Sequence, residues 1–287
     1  MTTANLTAVP APSPEKKSHK ATVMRKVTNC RVLRSEWTKF WSLRSSWITL
    51  VASVVVLMVF GAIAAFTHSP DGGAMSGPPG AESGGATDAV SLALVGASFA
   101  SLIVGVLGVL MSAGEYGTGM VRSTFAAVPR RLPVLWSKAV VIGPLVMIVT
   151  TIGALAAFTI GTMGLDGQQI SLTMGDDGVL RSLVGAGVYL GLVAMMGVAL
   201  GSLIRSTAGG IASLVGVLLI LPSLASLLPD SLYDSISPYF PSNAGSAMYS
   251  LHEGANSLSP AAGLAVFAGW VALALVGAAI RLKKSDV

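Results

Sequence analysis

The chain has 287 residues, 53% of them hydrophobic and only 11% charged, and its mean hydropathy is +0.74. A soluble domain carries about 25% charged residues, so composition excludes an ordinary soluble fold. The net charge of +5 does not point to nucleic acid. Its basic residues border apolar runs, where an anionic membrane surface attracts them.

Residues 1–24 are polar, contain Pro and lack hydrophobic periodicity, which predicts a disordered tail. The tail precedes a membrane domain over 25–287. From Arg31 to Ser45, Leu33, Trp37, Phe40, Trp41 and Arg44 recur at spacings of three and four, while Arg31, Arg34, Glu36 and Lys39 point elsewhere. That pattern predicts an amphipathic helix in the membrane interface, with its Trp rings at headgroup depth and its basic residues toward lipid phosphates. A helix packed on a soluble partner is the alternative. The 46 residues before the first apolar run are too long for a signal-peptide leader, and that run reads as a retained anchor. Cys30 is the sole cysteine, so neither an internal disulfide nor a thiolate cluster can form.

Spanning a bilayer core takes about 20 apolar residues in a helix. Six segments qualify: about 47–66, 89–112, 139–163, 179–203, 209–228 and 260–280. The fold class is therefore all-α, with six transmembrane helices. Pro144 and Pro222 each remove a backbone donor and predict a kink. Gly187, Gly191, Gly197 and Gly201 give the fourth span two GxxxG spacings, suited to close packing within the chain or to a dimer seam.

Seventeen of the eighteen Lys and Arg residues fall in segments that share one side of such a six-span plan. The opposite segments hold Asp71, Glu82, Asp88, Asp166, Asp176, Asp177, Asp230, Asp234 and Glu253. Cytoplasmic loops accumulate Lys and Arg, so both termini are expected in the cytoplasm. Arg181 is the exception, at the outer end of the fourth span, with Asp176 and Asp177 close enough in sequence to pair with it. The first outer loop is Gly/Pro-rich and expected to be flexible. The third, 229–259, carries Tyr233, Ile236, Tyr239, Phe240, Met248 and Tyr249 around Pro238 and Pro241, which predicts short helices dipping into the outer leaflet.

Residues for catalysis are scarce. The chain has no GxxxxGK[ST], HExxH, CxxC or GxSxG motif; His19, His68 and His252 are isolated, and the six cores lack acids. No enzyme activity, bound cofactor or metal is expected, and energy for any transport would come from another polypeptide.

The loop Gly114–Lys138 reads GEYGTGMVRSTFAAVPRRLPVLWSK. Its Glu-Tyr-Gly-Thr-Gly-Met-Val-Arg-Ser-Thr run and later Val-Pro-Arg-Arg resemble the first cytoplasmic loop of ABC-2 type transporter permeases. Arg34-Ser35-Glu36-Trp37-Thr38-Lys39 and Leu43-Arg44-Ser45 before the first span, and Tyr239-Phe240-Pro241-Ser242-Asn243-Ala244-Gly245 near the end, are similar too. The resemblance runs from about Arg31 onward. It implies an elbow helix carrying Arg34, Glu36, Trp37, Lys39, Trp41 and Arg44, a coupling helix between the second and third spans, and a re-entrant segment between the fifth and sixth. It also implies a permease homodimer paired with two copies of a separate ATP-binding subunit, on which ATP and Mg would bind.

Glu115, Tyr116, Arg122, Arg130 and Arg131 are then the residues expected to meet that ATPase. Anchoring at the lipid surface is the alternative for Arg130 and Arg131; anionic lipid would repel Glu115. By the same resemblance the second and fifth spans line the transport path. Ser98, Phe99, Ser101, Ser213, Ser223 and Ser226 would offer hydroxyls and an aromatic to a hydrophobic or amphipathic cargo, although Ser in a membrane helix often bonds its own backbone. A membrane anchor or sensor recruiting a soluble partner, and a secondary transporter, are the competing functions.

Overall fold

The computed structural model describes residues 28–68, 88–127, 132–165, 170, 172–252 and 257–284. The tail 1–24, most of the first outer loop, and Arg130 and Arg131 lie outside them, as does the side chain of Arg122. The described residues are helical, with no strand, and six helical segments are long and apolar enough to cross a membrane.

Helix α1 (Asn29–Ser42) is separated from α2 (Arg44–Phe66) by the single extended residue Leu43 (φ −88°, ψ 108°), so the chain turns sharply into its first span. Ile48, Val51, Val55, Val59 and Ile63 form an exposed apolar stripe along α2, at the spacing of one helix face. Water would penalise such a stripe; hydrocarbon would not.

The second span is not one helix over 89–112. A five-residue α3 (Ala89–Ala93) opens with a capping box between Asp88 and Ser91. The chain then makes two tight turns, with Val95 N–H donating to Leu92 O and Ala97 N–H to Leu94 O, before α4 (Ala97–Gly117). The short α5 (Met120–Ala127) follows.

The third span begins earlier than expected. Helix α6 (Leu132–Gly164) runs for 33 residues and passes Pro144 as one continuous helix. In α7 (Val179–Ile204), 67% of the most apolar window is buried, against 28% in the fifth and sixth spans. It packs on α4, α6, α8 (Thr207–Val215) and α12 (Pro260–Lys284), and is therefore the centre of the bundle.

Small residues make that centre possible. A Cβ on Gly197 would lie 2.2 Å from Gly105 O on α4, and one on Gly187 would lie 1.8 Å from Thr151 Oγ1 on α6. Both glycine faces of α7 are spent on contacts inside the chain. The fifth span is interrupted. A π-turn over Gly216–Ile220 joins α8 to α9 (Leu221–Ala225), with Leu221 N–H bonding Gly216 O. The wide turn comes just before Pro222, whose missing N–H removes the helical bond to the carbonyl four residues back.

Between the fifth and sixth spans lie α10 (Asp230–Ile236), a 3₁₀ turn (Ser237–Tyr239) and α11 (Pro241–Ala247). Gly245 sits against the Tyr189 ring of α7, and Ala244 O against Gly263 of α12. Trp270, ten residues after Pro260, donates through Nε1 to Tyr239 O at 3.1 Å. At 1.5 Å per residue, that contact lies about 15 Å along α12. The segment is thus wedged between α7 and α12. Arg181 belongs to this end of the bundle and bonds differently from expectation. Its Nη2 donates to Ser250 O (3.1 Å) and Leu251 O (3.4 Å), while Asp176 accepts from Thr173 N–H. The fold brings the 250–251 carbonyls to the guanidinium, and Asp176 closes its own turn.

Candidate functional site

The charged side chains that converge do so at the opposite end of the bundle, where α1, α4 and α6 meet. Lys39 Nζ donates to Glu36 Oε1 (2.8 Å) and Glu115 Oε1 (3.1 Å). Lys138 Nζ donates to Glu36 Oε2 (2.7 Å) and Glu115 Oε1 (2.9 Å). Each lysine bridges both carboxylates, giving a closed, electroneutral ring of four. Glu36 and Lys138 are nearly inaccessible, at 3% and 4% side-chain exposure, with Glu115 at 13% and Lys39 at 22%.

Helix geometry explains the convergence. Glu36 and Lys39 lie three apart on α1 and share a face with buried Val32 and Phe40. Glu115 stands in the last turn of α4, and Lys138 in the second turn of α6. This corrects the sequence-based picture of α1. Glu36 and Lys39 turn into the bundle, whereas Trp37 (44% exposed), Trp41 (52%), Arg34 and Arg44 face outward. Lys138 was expected to end a loop and is instead a buried helical residue, because α6 starts six residues before it. Glu115, expected to meet an ATPase, is bonded to this chain's own lysines.

Burial by itself works to raise the Glu36 carboxyl. The Lys138 charge and hydrogen bond, with those of Lys39, outweigh it and hold the group below its ordinary 4.5. Burial likewise works to lower Lys39, but its bonds and charges with Glu36 and Glu115 raise it above 10.5. Glu36 and Lys39 are thus both charged across the whole range between those values. Stripping one member would leave a buried charge uncompensated, at a cost of about 3–5 kcal/mol.

Beside the ring is a cavity of about 20 Å³, room for one water, lined by Ser112, Glu115, Tyr116, Lys138, Ser202 and Leu282 among others. Ser112 and Ser202 share a hydrogen bond of 2.5 Å across the α4–α7 seam. Arg281 Nη1 donates to Leu203 O at the end of α7. On the outward side of α1, Trp41 packs at a tilt against Trp47 (4.3 Å between centroids) and lies 5.8 Å from Trp37.

The expected path residues do not converge on one site. Ser101 is buried and bonds Ser98 O, while Phe99 packs on Phe60 of α2 at 4.6 Å. Ser213 bonds Gly210 O, Ser223 bonds Leu219 O and Ser226 bonds Ser223 O. These hydroxyls are satisfied by their own helices. Tyr116 lies under the Arg205 guanidinium, 5.4 Å from ring centroid to Cζ. The sequence held one signal for the missed ring partners: Glu36 and Lys39 at helical spacing. Compared with known proteins, the chain matches no family model and no curated sequence.

Proposed function

We propose that the chain is the membrane-spanning permease subunit of an ATP-driven exporter, moving a hydrophobic or amphipathic molecule while a separate ATP-binding subunit hydrolyses ATP. The observation that carries this is the order of elements around six apolar helices. A Trp-bearing amphipathic helix turns at Leu43 into the first span, and a short helix follows the second. A helical segment reaches inward between the fifth and sixth, to the middle of α12. That order is the one expected of an ABC-2 permease from the residue runs noted above.

In this scheme α1 is the elbow and α5, with Arg122, Arg130 and Arg131, meets the ATPase on the cytoplasmic side. Glu115 acts differently: bonded to Lys39 and Lys138, it ties the base of α5 to the elbow and to the third span. Movement imposed on α5 then reaches the membrane helices through ion pairs. A homodimer with two ATPase copies would supply the symmetric path, lined by the outer faces of the second and fifth spans.

The test is reconstitution. The chain should copurify with an ATP-binding partner and stimulate its ATP hydrolysis when both are placed in proteoliposomes. Transport driven by an ion gradient with no ATPase present would overturn the proposal in favour of a secondary transporter. Stable recruitment of a soluble partner without any transport would favour an anchor.

A further inference from the structure

One cation close to the ring, Arg205, lies over Tyr116 with part of its guanidinium buried. Arg205 ends α7 in the left-handed conformation (φ 61°, ψ 18°), with its N–H bonded to Gly201 O. It is the one non-glycine residue with positive φ among those described. Such a backbone is uncommon for a long side chain and needs support from its surroundings. Its Nε and Nη2 are buried without a hydrogen-bond partner among the described residues. Those two atoms form the edge of the guanidinium that grips a carboxylate in a fork. Buried donors are nearly always paired, and the partner that fits a guanidinium fork is a carboxylate.

The candidate lies next to it. Tyr116, beneath the guanidinium, is adjacent in sequence to Glu115. Glu115 and Ser202, three residues before Arg205, both line the water-sized cavity. Both lysine bonds to Glu115 fall on Oε1, so neither lysine holds Oε2. The other ring carboxylate is less free: Glu36 receives a lysine on each of its oxygens.

We propose that Glu115 is a two-position carboxylate, bonded here to Lys39 and Lys138 and, in a second state, turned across the cavity into the Arg205 fork. A fork takes both oxygens of a carboxylate, so Glu115 seated in it gives up the Oε1 bonds to Lys39 and Lys138. In that second state the two lysines keep Glu36. The exchange frees the end of α4 from α1 and α6 and fastens it to α7, so α5 shifts relative to α1. This goes beyond the exporter proposal and does not depend on it.

The experiment uses the full chain in lipid nanodiscs, with spin labels on native Cys30, exposed at the start of α1, and on a cysteine at Ser123 in α5 (S123C). Lys138→Met weakens the present state and should raise a second Cys30–123 distance population roughly threefold over the parent. Adding Arg205→Met should remove that population, and Arg205→Lys, which keeps charge but not the fork, should remove most of it. If Lys138→Met fails to fold, Lys39→Met takes its place. The proposal is overturned if the lysine variant gives a single unchanged distance, or if the second distance survives Arg205→Met. Both outcomes leave the ATPase question untouched.

Discussion

Lys138 and Glu36 are the residues on which the ring depends most, because both are out of water and each touches two oppositely charged partners. Replacing Lys138 by Met leaves two carboxylates to one half-buried lysine. Unfolding in detergent should then become easier by about 3–5 kcal/mol, whereas Arg34→Ala on the exposed face of α1 should stay within about 0.5 kcal/mol. The pH dependence has a definite sign. Glu36 is held below 4.5, so its contribution is complete above that value and fades as pH falls through the lowered one. Lys39 is raised above 10.5, so its contribution is complete below that value and fades as pH climbs through the raised one. The melting-temperature difference between the parent chain and Glu36→Gln should accordingly be flat from about pH 5 to 10 and shrink outside that window. A difference that changes steeply near neutrality would remove the ring from the stability of this fold. Glu36 and Lys39 stand three apart in the sequence, but its periodicity set them away from the Phe40 face, whereas the fold buries Glu36 beside Phe40. Lys138 was not legible as a partner, since an isolated lysine beside an apolar run carries no sign of whether its helix starts before or after it.

At the level of elements, the α4–α7 seam is held by backbone proximity. A methyl group on Gly197 would meet the Gly105 carbonyl, which is backbone and cannot swing aside. Gly197→Ala should therefore destabilise by about 1–3 kcal/mol, the range for overpacking. Gly269→Ala in α12, where a Cβ meets nothing within 4 Å, should be neutral or stabilising by up to about 1 kcal/mol. Equal melting temperatures for the two variants would contradict the seam. Under the proposed function the short α5 and the loop after it meet the ATPase. Reversing Arg130 and Arg131 to Glu should leave insertion intact and lower transported molecules per ATP hydrolysed, measured in proteoliposomes with the partner ATPase. Unchanged coupling would take this loop out of the mechanism. Boundaries were the weaker part of the sequence-based description, and each shift has a local cause. The Asp88–Ser91 cap starts a separate short helix, the π-turn makes room ahead of Pro222, and α6 extends by the turns that carry Val134, Leu135 and Lys138 into the bundle.

For the whole molecule, Lys39, Lys138, Arg205 and Arg281 lie at one end of the described bundle, which gives a test of sidedness. In intact cells a cysteine placed near Gly80 should react with a membrane-impermeant thiol reagent, and Cys30 should not; the reverse pattern would invert the assigned orientation. Class and span number were determined by the sequence alone. Long uncharged apolar runs have one economical solution in lipid, a helix that satisfies its own backbone, and the count of such runs needs no knowledge of their neighbours. The amphipathic helix before the first span was legible for the same reason, since periodicity is a property of consecutive residues. What only the tertiary structure decided is who meets whom. The ring joins positions 36, 39, 115 and 138, the wedge of 237–247 rests on α7 and α12, and the Arg205 fork opens beside Tyr116. Such meetings depend on how helices far apart in sequence pack against one another. A charge that looks solvated along the chain becomes a buried pair once a distant helix brings its opposite within 3 Å.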